Sequence, residues 1–573
     1  MHKKTLMVAY FPLLFFLIGN AQIQAAIIIP FNTLHSFETS SIIRDWSNLS
    51  LLYSDQYHCP NELFDELKQV NDTASEIADL FSIGKSIQGR EIYCVRITNE
   101  QNTQVKPKAL FLGEHHAREQ ITTEMTIRFL LRLVNNYGID QKITEYVNNQ
   151  EIYIIPALNP DGLQYGVGND SLAGNEWLRK NLRAFDDDND GLFDEDPIED
   201  TNGDGLISEF DVFSWNDMEN DWIFQYYYLE GIDNDNDGLI NEDRIGGIDL
   251  NRNYAYRWND STTDSGWGND RTLEDYPGTS PFSEPETAAY RDFVTDKRFA
   301  AAISFHSGIN ATYFPWSSAY YWPEEQLYYN IYEDLKEILP PGYLSVEYGT
   351  QIENTNIYTT AGDWGDWMYA AKACLVPLTF EIYHNASSDD LYTVIDENET
   401  HRILRWDGMY GYFAPKEGPA IDDLWEDIKP VFDYWLELTP RLNVTVTSVT
   451  GDKNINENLN VKLSIKNLSP RIGTIEDLLV IYADNTSVLY DGKACTIPEV
   501  AAGITAKSSF YFTLEEEITK NSSITLKIGN PYAGYKTIVI QEEQIKAKSI
   551  PLGFIAQYIA IPIFIYMKKR ENS

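Results

Sequence analysis

The stretch Lys108-Ala109-Leu110-Phe111-Leu112-Gly113-Glu114-His115-His116-Ala117-Arg118-Glu119 passes from an apolar, strand-like run straight into a polar turn. The chain holds only 8 histidines in 573 residues, so two adjacent ones at the end of a strand carry information. In α/β sheets, ligands collect at the carboxyl ends of the strands. A His and a Glu three residues apart can ligate one metal from a single turn there. That pair alone arises by chance and needs a third ligand. A second apolar run, 300–305, delivers His306-Ser307-Gly308 at its end. Two histidines and a carboxylate, with a fourth position left for water, describe a catalytic rather than a structural zinc site. Spacing alone leaves open the alternative of three polar residues at unrelated strand ends.

Outward from this stretch the texture alternates. Strand-like runs at Glu91–Ile97, Lys108–Leu112, 151–158, 299–305 and 375–380 are interleaved with helical periods, including 59–81 and 122–135. Such alternation predicts an α/β domain with a mostly parallel sheet, ending near residue 438. After residue 441 the pattern changes to short β-branched runs at 443–449, 460–466, 478–482, 508–514, 523–528 and 536–540. Turn residues separate them at the spacing of an all-β sandwich, expected over 441–545.

Composition excludes several function classes. With 43% apolar and 13% aromatic residues the chain has material for a large core, which excludes global disorder. Lys+Arg is 44 against Asp+Glu 87, a net charge of −43, and such a surface repels a phosphate backbone, so nucleic acid is not an expected partner. Residues 1–25 read as a secretory signal peptide: His2, Lys3 and Lys4, an apolar run over 6–18, then small residues with cleavage after Ala21 or Ala25. At the other end, the apolar segment 550–567 followed by Lys568, Lys569 and Arg570 reads as a transmembrane or sorting segment. The expectation is an exported, extracellular protein anchored at the cell surface membrane. Four widely separated cysteines make no disulfide framework and no Cys-x-x-Cys zinc spacing.

Further motifs make the reading specific. Upstream stands Ser82-Ile83-Gly84-Lys85-Ser86-Ile87-Gln88-Gly89-Arg90-Glu91-Ile92. Downstream come Asn159-Pro160-Asp161-Gly162, Trp177-Leu178-Arg179-Lys180-Asn181 and Gly247-Ile248-Asp249-Leu250-Asn251-Arg252-Asn253. Pro281-Phe282-Ser283-Glu284-Pro285-Glu286, Tyr358, Asp366-Trp367 and Thr379-Phe380-Glu381 follow. Together with Gly113 to Glu119, this ordered set resembles the M14 zinc metallocarboxypeptidases of the carboxypeptidase A/B type, nearest to the broad-specificity bacterial enzymes. The resemblance covers roughly residues 53–438 and implies an α/β domain over 53–440 with a carboxypeptidase-like mixed central sheet flanked by helices.

It implies a zinc-dependent peptide hydrolase that removes C-terminal residues from peptides or proteins. The implied zinc ligands are His116, Glu119 and His306, with Glu381 as general base and acid and Arg179 as stabiliser of the oxyanion. Asn251, Arg252 and Tyr358 match the clamp on the substrate's terminal carboxylate, which a guanidinium fork fits bidentately. Arg118 matches a further substrate-contacting arginine, and Asp249 a carboxylate that orients His116. His115 is a neighbour rather than a ligand. Asp363 matches an acidic residue of the broad-specificity enzymes, and Gly365 stands at the pocket floor. The resemblance therefore implies a roomy pocket that favours apolar or aromatic terminal residues and tolerates basic ones. Gly308 departs from the tyrosine of the pancreatic enzymes.

Between Asp186 and Asp243 lie 21 acidic residues and no Lys or Arg. Within this insert, Asp200, Asn202, Asp204, Gly205, Ser208 and Asp211 have the spacing of an EF-hand loop with Asp in place of the last Glu. Asp186, Asp188, Asp190 and Asp194, and likewise Asp233, Asp235 and Asp237, repeat its first part. The expectation is a calcium-binding insert, 186–243, that forms one rim of the cleft. Two other functions compete: an M14-type amidohydrolase acting on cell-wall or other modified peptides, and a catalytically inactive, calcium-dependent surface-binding protein.

Overall fold

Apolar runs without polar alternation become strands covered on both faces, and 3.6-periodic runs become helices laid against them. The computed structural model describes residues 44–547 except 55–56, 170–171, 174, 187–190, 195, 235–237, 239, 242–246, 345–357, 386–391, 416–417, 455–456, 474–477, 483–494, 498–499, 515–516 and 521–522. The segments 1–25 and 550–567 lie outside the described residues, among which no helix is long and apolar enough to cross a membrane.

Helix α1 (Pro60–Thr73) leads to β1 (Ala78–Lys85), β2 (Glu91–Ile97) and β3 (Lys108–Leu112). Next come α2 (Ile121–Asn136), α3 (Gln141–Asn149), β4 (Glu151–Ile155), α4 (Pro160–Val167) and a small ribbon of β5 (Gly168–Asn169) and β6 (Leu172–Ala173). A hairpin of β7 (Glu209–Asn216) and β8 (Asp221–Leu229) precedes α5 (Pro285–Thr295), β9 (Phe299–His306) and β10 (Asn310–Tyr313). Then follow α6 (Glu325–Ile338), α7 (Trp364–Ala370), β11 (Cys374–Ile382), β12 (Tyr392–Glu397), β13 (His401–Trp406) and α8 (Pro419–Leu438).

The central sheet has the order β1-β2-β4-β3-β9-β11-β10. Its middle four strands, β4-β3-β9-β11, run parallel, and the flanking pairs are antiparallel, so the sheet is mixed. Alternation along β3 divides the core. Ala109 and Phe111 join one cluster with residues of α1, α2, α6 and α8, while Leu110 and Leu112 join another with Tyr290 of α5 and Trp364 and Met368 of α7. Phe111, Phe129 and Phe432 pack as a triangle of rings with centroids 4.5, 4.6 and 5.6 Å apart. Burying each such ring contributes about 1.5–3 kcal/mol.

The helical period expected over 59–81 is split. Leu63, Leu67 and Val70 are the buried stripe of α1, but Ala78 and Leu80 belong to β1, paired with Ile97 and Val95 of β2. Backbone pairing with β2 overrides a side-chain period that happens to continue across the turn. The acidic insert also carries more than loops. Its hairpin β7–β8 joins β12–β13 in a separate four-stranded sheet of order β12-β13-β7-β8.

Beyond Leu438 the described residues form strands, with one 3-10 turn at Glu542–Gln544: β14 (Leu442–Thr450), β15 (Asn458–Asn467), β16 (Leu478–Tyr482), β17 (Cys495–Ile497), β18 (Thr505–Thr513), β19 (Ser523–Asn530), β20 (Gly534–Gln541) and β21 (Ile545–Lys546). They form two sheets, β18-β15-β14-β21 and β17-β16-β19-β20. Leu459, Val461, Leu463 and Ile465 of one share a buried cluster with Ile524, Leu526 and Ile528 of the other. Tyr535 N donates to Val105 O at 2.7 Å and Tyr532 Oη to Lys372 O at 2.8 Å. Val105 and Lys372 precede β3 and β11, so these sheets touch the amino ends of the central strands, away from the carboxyl-end mouth.

Candidate active site

Strand ends build the mouth. Gly113 lets the chain turn tightly after β3, since a Cβ there would lie 2.5 Å from Pro156 O. The turn that follows carries His116 and Glu119 into α2. His306 is the last residue of β9, and the parallel register sets it beside Glu381 of β11. His116, Glu119 and His306, all buried, bring their ligand atoms within 4.8 Å of one another, the one such group of three among the described residues.

The arrangement fits a cation. His116 Nδ1 and His306 Nδ1 approach to 3.2 Å, and Glu119 Oε1 lies 2.8 Å from His116 Nδ1. Glu119 Oε2 is 3.0 Å from His306 Nδ1, yet it is buried without an aligned hydrogen bond. Two imidazole nitrogens facing each other and a buried, unsatisfied carboxylate oxygen are what a divalent ion between them would resolve. Burial opposes the charge on Glu119, but His116 and His306 outweigh it and hold the carboxyl far below its usual range. Burial lowers the pKa of His306, against the pull of Glu119.

The supporting contacts are specific. His116 Nε2 lies 3.1 Å from Asp249 Oδ1, which also accepts from Asn251 N at 2.8 Å. Arg179 Nε and Nη2 reach the other oxygen, Asp249 Oδ2, at 3.0 and 2.9 Å. Asp249 therefore fixes His116, Arg179 and the Asn251 backbone together. Burial opposes its charge, but Arg179, His116 and Arg252 hold it well below the carboxylate range. His115 turns away: its ring nitrogens meet Tyr254 Oη and Ser304 Oγ, each at 2.9 Å, and burial keeps it neutral.

A cavity of about 490 Å³ opens over these groups, lined by His116, Arg179, Asn251, Arg252, His306, Tyr358, Asp363 and Glu381. Glu381 Oε2 is buried without a partner, and burial, followed by the Glu119 charge, raises its pKa well above the ordinary carboxyl value. Asn251 Oδ1 accepts from Trp364 N at 3.0 Å, and Arg252 Nη1 donates to Asn251 O at 3.0 Å. Tyr358 stands at the mouth, 55% exposed. Asp363 caps α7 by accepting from Asp366 N at 3.1 Å. Asp366, pushed up to about 7 by burial and by Asp363, accepts from the amides of Ser317 and Ser318 and so anchors the Ser317 wall of the cavity.

Arg118 departs from expectation. It does not line the cavity; its guanidinium holds Glu274 bidentately at 2.9 and 3.0 Å and lies 4.2 Å over the Phe413 ring. It supports that wall instead of offering a free fork. Phe413 and Tyr412 line the cavity and were missed in sequence, because they arrive on a loop after β13 with no motif to mark them. Gly308 held the available clue: at φ +123°, a Cβ on it would lie 2.5 Å from Phe413 Cε1. Ser317 was likewise unmarked.

The residues expected to hold calcium are brought together only in part. In all three loops the first Asp accepts from the glycine at position six: Asp186 from Gly191 at 3.1 Å, Asp200 from Gly205 at 2.7 Å and Asp233 from Gly238 at 3.0 Å. Asp188, Asp190, Asp235 and Asp237 lie outside the described residues. Within the loop 200–211, however, Asp200, Asp204 and Asp211 do not converge. Asp204 is held by Arg405 at 2.6 Å. Asp211, where the EF-hand spacing expects the last ligand, interacts instead with Glu209 and Tyr392. Arg405 opposes Phe210, one residue out of phase with Asp211, so the two carboxylates serve opposite faces of the sheet. Asn202 spans from Asp204 N to Glu230. Asp194 Oδ1 accepts from Phe185 N.

A mixed α/β sheet with two histidines, a glutamate and a further buried carboxylate at its carboxyl edge has the donor set of a zinc centre. The zinc carboxypeptidase (peptidase M14) family model matches residues 63–427, and the chain belongs to that family. The chain is similar to a zinc carboxypeptidase of Saccharothrix mutabilis subsp. capreolus, 35% identical over 126 residues, 22% of this chain and 28% of the relative. A longer match, 23% identical over 352 residues, covers 59% of this chain and 47% of the inactive metallocarboxypeptidase ECM14 of Ajellomyces capsulatus. The crystal structure of carboxypeptidase A from Helicoverpa armigera matches at a TM-score of 0.42 and 19% identity, covering 67% of this chain and 75% of that one. The chain thus spans under half the length of these curated relatives.

Proposed function

We propose that this chain is an exported, surface-tethered zinc carboxypeptidase that hydrolyses the last peptide bond of peptides and proteins with a free C-terminus. One observation carries the reading: Asn251, Arg252 and Tyr358 line the same cavity as Arg179, Glu381 and two of the zinc ligands. A carboxylate clamp beside a hydrolytic centre makes an exopeptidase. His116, Glu119 and His306 would hold the zinc, which when bound polarises a carbonyl and lowers the pKa of water towards ~7.

The chain's own groups do the rest. The Arg252 fork and the Asn251 amide take the terminal carboxylate, and Tyr358 covers it from the mouth. Glu381, as carboxylate, accepts a proton from the attacking water and returns it to the leaving amine. Arg179, held by Asp249, faces the oxygen on which negative charge develops. Asp249 keeps His116 in its ligating orientation.

Specificity and location are also part of the proposal. Ser317, Thr360, Asp363 and Thr379 give the pocket a polar lining with one carboxylate, which supports tolerance of Lys and Arg beside apolar or aromatic ends. Blocked dipeptides ending in Phe, Leu, Arg or Glu, each with its C-terminal amide as control, test this. Release from the acids and not the amides is expected; equal release from both would sink the carboxylate clamp and favour a general amidohydrolase. The basic clusters and apolar runs of 1–25 and 550–570 support export and tethering, and the strands of 441–545 would form a sandwich domain spacing the enzyme from the surface. For calcium, the loops 186–194 and 233–241 are the candidates, supported by their ligand spacing. Calcium should raise the melting temperature in a way that Asp190→Asn with Asp237→Asn removes; an unchanged melting curve with EGTA would exclude it.

A further inference from the structure

The four-stranded sheet β12-β13-β7-β8 leaves much apolar area uncovered. Of its strands only Val212 and Leu229 are buried, and every residue of β12 is exposed. Antiparallel sheets ordinarily cover one face. Pairing registers sort the side chains: Tyr392 opposes Trp406, which opposes Glu209; two residues on, Leu404 opposes Asp211, which opposes Tyr227; two further, Phe213 opposes Phe224. These rows share one face, on which Tyr392, Tyr227 and Phe224 are 45%, 52% and 49% exposed.

That face is continuous with the catalytic cavity. Tyr392 stacks on Trp406 with ring centroids 6.2 Å apart, Trp406 meets Tyr412 at 6.5 Å, and Tyr412 meets Phe413 at 4.9 Å. Tyr412 and Phe413 line the cavity on the side of Gly308, whereas the clamp lies with Gly362 and Trp364. A substrate held by its terminal carboxylate therefore leaves the cavity across Phe413. Charge along the exit is negative. Glu209 and Asp211 sit on the aromatic face, Arg402 on the same face is neutralised by Glu397 at 3.1 Å, and no Lys or Arg occurs between Asp186 and Asp243.

We propose that this face is a docking track for the polypeptide that precedes the scissile bond, and that it favours segments rich in basic and aromatic side chains. The inference rests on the carboxypeptidase reading for the direction of the substrate. Aromatic planes take extended chains and stack on cations, and acidic neighbours select the sign of the partner.

The test uses the full chain and two dodecapeptides with the same C-terminal Phe, one Lys/Tyr-rich and one Glu/Ser-rich upstream, beside a blocked dipeptide ending in Phe. The basic peptide should exceed the acidic one in kcat/KM by about tenfold at low salt. Tyr227→Ser with Phe224→Ser, and separately Tyr392→Ser, should each lower the basic peptide's value by about fivefold and leave the dipeptide's unchanged. Equal use of both peptides, or variants that match the parent on the basic one, would overturn the proposal. Absence of dipeptide release would instead sink the carboxypeptidase reading. Fluorescence anisotropy with the Glu381→Gln chain then judges the track alone: binding of the basic peptide that Tyr227→Ser weakens supports it, and no such binding overturns it.

Discussion

Arg252 and Gly308 stand at the two ends of the proposed substrate path. Arg252 offers a planar fork to a carboxylate, and Lys cannot reproduce it. Arg252→Lys should lower kcat/KM on a blocked dipeptide by about 10–100-fold, as loss of one charged hydrogen bond worth ~1.5–3 kcal/mol requires. The change should fall mainly in KM, and steady-state kinetics check it. At the other end, Gly308 at φ +123° has Phe413 packed where a Cβ would go. Gly308→Ala should destabilise by roughly 1–3 kcal/mol through strain and displacement of Phe413. Urea unfolding gives the number, and an unchanged midpoint would mean that the loop moves freely.

At the scale of elements, His58, just before α1, ties that segment to the helices. Its ring nitrogens meet Glu124 of α2 at 2.8 Å and Glu66 of α1 at 3.3 Å, and Arg128 of α2 continues to Asp422 of α8 at 3.0 Å. Burial works against a charged ring, but the two glutamates outweigh it and raise the His58 pKa to about 9. A raised folded-state pKa stabilises fully below the unfolded value near 6.5, and that stability is lost as pH rises through about 9. The contribution is roughly 3 kcal/mol at most. The melting temperature should therefore fall between pH 7 and pH 9.5, and His58→Gln should flatten that fall. Thermal melts across the range decide it; parallel curves for both proteins would contradict the network's role.

The same scale explains what could be read beforehand. β3, β9 and β11 were legible because both their faces are covered, which leaves uninterrupted apolar runs such as Ala109 to Leu112. The strands β7, β8, β12 and β13 were not, since a sheet exposed on both sides carries no burial alternation. His306 and Glu381 stood out because each directly follows an apolar run, and His116 and Glu119 because of their three-residue spacing in the turn after one. Arg118's pairing with Glu274 could not, because 156 residues separate the partners and only the fold joins them.

For the whole molecule, the parts face different ways. The sheets beyond Leu438 contact the amino ends of the central strands, while the cavity and the exposed aromatic sheet lie towards the carboxyl ends. Zinc should couple the site to global stability, because an ion that binds only the folded chain adds about 4 kcal/mol at a thousandfold excess over Kd. Chelation should then lower the melting temperature and restoring zinc should raise it, as calorimetry would register.

The central claim is that His116, Glu119 and His306 hold one zinc while Glu381 moves the proton. The most direct measurement is zinc content together with release of C-terminal Phe from a blocked dipeptide, for the full chain and for Glu381→Gln. One zinc per chain in both proteins is expected, with kcat reduced in the variant by about 10²–10⁴-fold. Zinc bound without release from the unaltered chain, or release that survives Glu381→Gln, would contradict the account.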